Sequence, residues 1–207
     1  DPVEYKLEGI NQIQVNYKYG LDFATGLKSI LRQDPDIIMI GEIRDKETAQ
    51  IAIRAASTGH LVISTMHTNN SVESINRLVD MGIPRYLISS VLKGIISQKL
   101  VRKVCGHCSI EEELDENTYT KLKLKTIKIE QGCSKCNYSG YKGRIAVYEI
   151  LEIDKRIKHS IMDSELCDEI YNLGKLNGMI SFQDSCSYLL KNGITTLKEC
   201  MFMDNIN

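Results

Sequence analysis

The 207 residues leave room for one ordinary domain with a smaller module, or for two small domains. A chain that is 43% hydrophobic and 26% charged has the composition of a folded globular protein and excludes disorder, while apolar runs such as Ile37 to Ile40 and Leu61 to Ile63 fall far short of the ~20 residues that span a bilayer. The formal net charge of -1, from 26 basic and 27 acidic residues, excludes an overall field that would draw the chain to nucleic acid, so such a role would need a local patch.

The chain opens Asp1-Pro2-Val3-Glu4-Tyr5, with neither a start methionine nor a charged-then-apolar leader, and reads as a fragment entered in mid-motif. Ile13 and Val15 alternate with polar residues. After the Gly20-Leu21-Asp22 turn, Phe23, Leu27, Ile30 and Leu31 recur at helical spacing, with Asp22 as N-cap and Pro35 as the stop. Ile37-Ile38-Met39-Ile40 is a continuous apolar run between Asp36 and Gly41, the pattern of a strand buried on both faces. Asp45 to Thr58 predicts a helix with Ala49, Ala52, Ile53 and Ala56 inward, ended by Gly59. Leu61 to Thr65 predicts the next strand, and Ser71 to Met81 and Tyr86 to Val101 predict two helices about Gly82-Ile83-Pro84. Strand and helix alternating in this way predict an α/β fold with a parallel sheet, whose functional loops follow the carboxyl ends of the strands. From residue 105 to 139 cysteines, glycines and charges replace the buried runs. Ile145 to Ile150 resumes a strand, and helical stretches follow at Cys167 to Leu176, Phe182 to Lys191 and Leu197 to Met203.

Two strand ends carry candidate chemistry. An apolar strand ending in a carboxylate can fix that group beside phosphates, to engage magnesium or to polarise an attacking water, and here the residue is Glu42. A glutamate in that place is also a common solvated loop residue. His67 lies just past the second strand on the same edge of the sheet, where an imidazole can sense or stabilise a terminal phosphate or can serve the surface alone. His60, beside Gly59, suits a structural role.

Of the seven cysteines, four form the pairs Cys105-Gly-His-Cys108 and Cys133-Ser-Lys-Cys136, while Cys167, Cys186 and Cys200 lie scattered. Each Cys-x-x-Cys can fold as a knuckle aiming two thiolates at one point, and two knuckles supply the closed tetrahedral site of structural zinc. A redox motif needs only one pair. An odd cysteine count without a signal peptide argues against a disulfide framework and for a reducing compartment. His107 enters the metal set only if a cysteine is displaced.

Together these features resemble the secretion ATPase superfamily of type II secretion and type IV pilus assembly motors. The matching segments are Asp1-Pro2-Val3-Glu4-Tyr5 as the Asp box, Gly9 to Gln12, Leu31 to Asp36, Ile38 to Asp45 as the Walker B segment, Thr58-Gly59-His60 with Ser64 to Asn69 as the His box, the tetracysteine segment, and Gly140 to Arg144 running into Tyr148 to Leu151. The resemblance implies a partial RecA-like core over residues 1–104 and 140–153, a tetracysteine zinc-binding insertion over 105–139, and a C-terminal helical region over 154–207. It implies a homo-hexameric, magnesium-dependent ATPase on the cytoplasmic face of the inner membrane, working on a membrane platform protein and on no nucleic acid. Glu42 and His67 would be catalytic, Asp1 and Glu4 would bind the nucleotide, and the four cysteines would hold zinc. Retraction motors of this superfamily generally lack the tetracysteine insertion, so its presence points to the secretion or assembly branch. The chain has no Gly-x-x-x-x-Gly-Lys-Ser/Thr loop to cradle phosphates, a loop that precedes the Asp box in the superfamily, so these residues alone are expected to be inactive. The competing reading is a zinc-ribbon module that binds nucleic acid or protein through Lys121, Lys123, Lys125 and Lys128. Their alternation equally suits the charged edge of a small sheet.

Overall fold

A computed structural model describes residues 3, 5–114, 116, 124–163 and 167–201. The elements among them are α1 (Phe23–Ile30), β1 (Ile37–Ile40), α2 (Lys46–Ser57), β2 (Leu61–Ser64), α3 (Ser71–Asp80), α4 (Arg85–Val91), β3 (Gly94–Val104), β4 (Ile110–Glu113), β5 (Thr126–Ile129), β6 (Tyr141–Glu152), α5 (Lys155–Met162), α6 (Cys167–Leu176), α7 (Phe182–Lys191) and α8 (Leu197–Met201). Contacts divide the chain into one unit of residues 1–94 and 153–173 and another of residues 95–152 and 174–207. No helix among the described residues is long and apolar enough to cross a membrane.

In the first unit the helices begin where short polar side chains can satisfy otherwise unpaired N–H groups. Thr25 N donates to Asp22 Oδ1 at 2.7 Å, Thr48 N to Asp45 Oδ1 at 2.8 Å and Glu73 N to Asn70 Oδ1 at 2.8 Å. The turn Leu31–Gln33 and Asp34, at φ 50°, end α1 before Pro35. β1 and β2 pair in parallel, with Ile37 opposite Leu61 and Ile40 opposite Ser64, and α2 forms the crossover that such pairing requires. Ile38 and Ile40 are buried with Leu27, Ala52 and Ala55. Ala55, rather than the expected Ala56, is the fully buried alanine near the end of α2. On α4 and α5, which pack together, Ile88, Ile157 and Ile161 are wholly buried.

Two expectations are corrected. The unbroken apolar run of β1 predicts cover on both faces, yet only one is covered. Ile37 and Met39 are 62% and 71% exposed, and Leu61 and Ile63 lie opposite them on the same face. Strand geometry sends alternate residues to opposite sides, and among the described residues the second side stays open. The span Tyr86 to Val101 is also not one helix: α4 stops at Val91, Leu92 turns extended at ψ 130°, and β3 begins. Ile88, Val91, Leu92, Ile95 and Ile96 fit a helical period. Beyond Gly94, however, the β-branched pair Ile95-Ile96 favours extended backbone, and Ser97 and Val101 turn inward while Ile96 and Leu100 turn out.

In the second unit β3 pairs with β6, and β4 pairs with β5 in an antiparallel hairpin that sets Ile110 opposite Ile129. β6 extends beyond the expected Ile145 to Ile150 at both ends. Val101, Val147, Phe182, Cys186, Leu189, Leu190 and Cys200 form the core, so two of the scattered cysteines act as small apolar fillers. The segment from Ile194 to Glu199 is fastened to the strands that lead into the cysteines. Val104 N donates to Ile194 O at 2.9 Å, and Arg102 Nη2 donates to Glu199 Oε1 at 2.7 Å. The Arg102 guanidinium lies 4.0 Å from the Tyr141 ring centroid, and the Tyr141 hydroxyl lies 2.9 Å from Thr196 Oγ1. Hydrogen bonding from Arg102 holds the Glu199 carboxyl below its usual range. The expected C-terminal stretches appear as α6, α7 and α8, with α5 as an additional helix before them. Met203, the expected end of the last helix, lies outside the described residues.

Candidate functional site

β1 runs into Gly41-Glu42-Ile43-Arg44-Asp45, and β2 into Thr65-Met66-His67-Thr68-Asn69. Their association continues past the strands, because Ile43 N donates to Thr65 O at 3.0 Å and Thr65 Oγ1 donates to Gly41 O at 2.5 Å. These bonds hold the two loops side by side. Glu42 and His67 consequently meet, with His67 Nε2 3.5 Å from Glu42 Oε2. The Glu42 side chain is 2% exposed and that of His67 is 87% exposed, so the pair joins a sheltered carboxylate to an open imidazole.

Arg44 Nε donates to the same Glu42 Oε2. Glu42 Oε1 is buried and has no hydrogen-bond partner among the described residues. Buried acceptors are nearly always paired, so this oxygen is short of a donor in the arrangement described. Other polar residues of the two loops have structural duties. Asp45 caps α2 through Thr48 N and Thr48 Oγ1, at 2.8 and 2.9 Å. His60 Nδ1 lies 2.9 Å from Ala55 O at the other end of α2, consistent with the structural role expected for it. Beside His67 a polar cleft of about 490 Å³ is lined by Thr68, Asn69, Glu73, Asn76, Arg77 and Asp80. The sequence reading nominated neither Arg44 nor Arg77. The spacing Glu42-x-Arg44 just after a strand was the available signal for the first, and the α3 face that places Glu73, Asn76 and Arg77 together was the signal for the second. Asp1 and Glu4 lie outside the described residues.

The second unit brings together all four cysteines of the two pairs. The sulfurs of Cys105, Cys108, Cys133 and Cys136 lie within 4.8 Å of one another, and all four are free. Each pair turns as a knuckle: Ser109 N donates to Cys105 O at 3.0 Å, and Tyr138 N donates to Cys133 O at 2.9 Å. Asn137 and Tyr138 take positive φ values of 50° and 60° to make the second turn. Gly140 then passes so close to Glu130 that an added Cβ would stand 2.5 Å from the glutamate Cβ, which explains the glycine there. Its N–H donates to Cys136 Sγ at 3.3 Å, as that of Cys133 does at 3.2 Å. Burial pushes the Cys136 thiol up, but these donors outweigh it and bring the thiol down to about 6. For Cys108 burial prevails over the Gly132 N–H and raises the thiol to about 11.

The donor set fits a tetrahedral thiolate-bound metal. Four sulfurs ~2.3 Å from a zinc ion stand roughly 3.8 Å apart. Cys108 and Cys133 each lie 3.8 Å from Cys136. His107 is outside the group, its Nδ1 3.5 Å from Lys135 Nζ. The lysines of the competing reading find acidic company. Lys128 stands opposite Glu111 in the β4–β5 hairpin, and Lys125 lines a cleft with Glu113 and Glu116. Lys121 and Lys123 lie outside the described residues.

A parallel strand pair with a sheltered carboxylate at its end, accompanied by a four-thiol cluster, belongs with the ATPases of secretion and pilus assembly. The family model described as a type II/IV secretion system protein matches residues 1–202, and the chain belongs to that family. It is 47% identical to the type IV pilus assembly ATPase PilB of Thermus thermophilus, over 97% of this chain and 23% of that protein. It is 42% identical to the type II secretion system ATPase E of Vibrio cholerae, over 97% of this chain and 41% of that one. Among solved structures it resembles the pilus retraction motor PilT with bound ADP, with a TM-score of 0.73 and 31% identity, covering 99% of this chain and 50% of that chain. The chain thus spans well under half the length of these curated relatives.

Proposed function

We propose that the chain is the C-terminal part of a hexameric ATPase motor that powers type II secretion or type IV pilus assembly. The carrying observation is the meeting of Glu42 and His67 at the ends of two parallel strands. In this reading residues 1–104 and 140–153 are RecA-like core, 105–139 a zinc-binding insertion and 154–207 a C-terminal helical region. The tetracysteine cluster supports the secretion or assembly branch over retraction. The ring would work on the cytoplasmic face of the inner membrane, against a membrane platform protein.

Glu42 takes the proton of the water that attacks the terminal phosphate of ATP, and burial keeps bulk water from competing for it. Bound magnesium supplies charge neutralisation on the phosphates. His67, exposed beside Glu42, would donate to the phosphoryl group as charge develops. Substitution His67→Ala in a subunit that carries the phosphate loop is expected to lower turnover by about 10–100-fold, the size of one lost hydrogen bond to a charged group. Unchanged turnover and unchanged secretion or pilus output would return His67 to a surface role.

The lysine and backbone amides that grip the β- and γ-phosphates normally come from a Gly-x-x-x-x-Gly-Lys-Ser/Thr loop, and these 207 residues contain no such loop. The chain alone is therefore expected neither to bind ATP tightly nor to hydrolyse it. Joined to upstream sequence that holds such a loop, it gains magnesium-dependent turnover. Steady turnover by the chain alone that survives Glu42→Gln would overturn this assignment of roles, and a joined subunit with no turnover would overturn the motor reading.

A further inference from the structure

Glu42 is the group on which the proposed chemistry depends, and the structure leaves neither of its oxygens open to water. Oε2 accepts from Arg44 Nε, while Oε1 is buried without a hydrogen-bond partner among the described residues. A carboxylate so placed cannot take a proton from a water until something moves. The two partners differ in freedom to move: the Glu42 side chain is 2% exposed and the Arg44 side chain 63%. Glu42 is further fixed by the loop bonds at Gly41 and Ile43 on either side of it. The arginine is the member that can leave.

What would draw it away is another anion with matching geometry. A guanidinium pairs with phosphate as readily as with carboxylate, and Arg44 lies on the strand-end loop next to the open imidazole of His67. We propose that Arg44 is a positioning residue that holds Glu42 closed in the nucleotide-free state and releases it by exchanging the carboxylate for the terminal phosphate of a nucleoside triphosphate. Arrival of the triphosphate would then itself unlock the base. A diphosphate, lacking that terminal group, would leave the pair closed. This rests on the motor reading above.

Equilibrium binding of ADP and of an ATP analogue with a non-hydrolysable imido β–γ bridge, which stands for ATP throughout, decides the matter with magnesium in a subunit that carries the phosphate loop. Four proteins are compared: the unaltered subunit, Arg44→Gln, Glu42→Gln and the double variant. With Gln at position 42 the arginine is held by a neutral amide rather than by a carboxylate and is more easily drawn to phosphate, so Arg44→Gln should weaken ATP binding about tenfold, the value of a charge-assisted hydrogen bond. With Glu42 present the loss should be smaller, because there the arginine must first be taken from the carboxylate. ADP affinity should change less than twofold throughout. Non-additivity of this sign is the signature of partner exchange. An arginine that merely neutralises Glu42 would give an ATP loss at least as large with Glu42 present, and an arginine that only supports the fold would weaken ATP and ADP alike. Either result overturns the proposal. Should Arg44→Gln fail to fold, the same cycle with Arg44→Lys decides it by the same sign at smaller size. An unaltered subunit that binds neither nucleotide would overturn the motor reading itself, so the two failures remain distinct.

Discussion

Purified without added zinc, the chain is expected to carry about one equivalent of the metal through Cys105, Cys108, Cys133 and Cys136, and to lose it to a strong chelator. The physical need lies in how little the insertion can bury. All four residues of β4 are exposed, and across the hairpin Ile127 is the one fully buried apolar side chain. A segment of that size has too small a core to hold itself. Apparent binding energies of roughly 10–16 kcal/mol for structural zinc in small finger peptides exceed what a few half-exposed isoleucines contribute. Replacing Cys133 by serine should therefore release the metal and unfold residues 105–139 locally. The helical far-ultraviolet signal should persist, because the buried residues of the core, Val101, Val147, Phe182, Cys186, Leu189, Leu190 and Cys200, all lie outside the insertion, of which Leu124, only partly buried, packs against them. Hydrogen exchange confined to residues 105–139, with metal analysis alongside, reads both effects. If the four thiols react freely and no metal is released, the site is refuted, and with it the best reason for assigning the chain to the assembly branch.

The cysteine cluster was legible in the sequence because it depends on local geometry: two residues between cysteines suffice to make a knuckle, whatever the surrounding fold. Helix starts at Asp22 and Asp45 were legible for the same reason, since a cap needs only its own first turn. The meeting of Glu42 with His67 needed one more step, the inference that a helix between two apolar runs makes their strands parallel and sets their carboxyl ends on one edge. What escaped was decided by tertiary context. The residues from Ile88 to Val101 carry a helical period and a strand period together, and pairing with β6 selects the strand beyond Gly94. The exposed side of β1 and β2 carries the same residue types as the buried side, so composition alone could not tell them apart. From the sequence Arg44 is one of three arginines, with Arg32 and Arg54, that could reach an adjoining phosphate in a ring but more ordinarily pair at the surface. Only coordinates show its Nε directed at Oε2 of the sheltered Glu42 carboxylate.

Substitution of Glu42 by glutamine, in a subunit that carries the phosphate loop, is expected to leave nucleotide bound and to lower turnover by something on the order of 10²–10⁴-fold, the range for a positioned acid–base group. The amide nearly matches the carboxylate in shape and can still accept from Arg44, so the buried pocket and the loop bonds at Gly41 and Ile43 should survive. It cannot take a proton from water. The loss should accordingly fall on kcat rather than on nucleotide affinity, which separates a chemical role from a structural one. Removing the negative charge also removes repulsion toward the phosphates, so ATP affinity should hold or rise. Melting temperature provides the control, because the Arg44 guanidinium that loses its anionic partner is 63% exposed and can be solvated, so the fold should not weaken appreciably. Turnover within a factor of a few of the unaltered subunit, measured with saturating magnesium and ATP, would mean that Glu42 is not the catalytic carboxylate. The proton acceptor would then have to be sought elsewhere on the nucleotide edge, beginning with the acidic groups Glu73 and Asp80 that line the cleft beside His67.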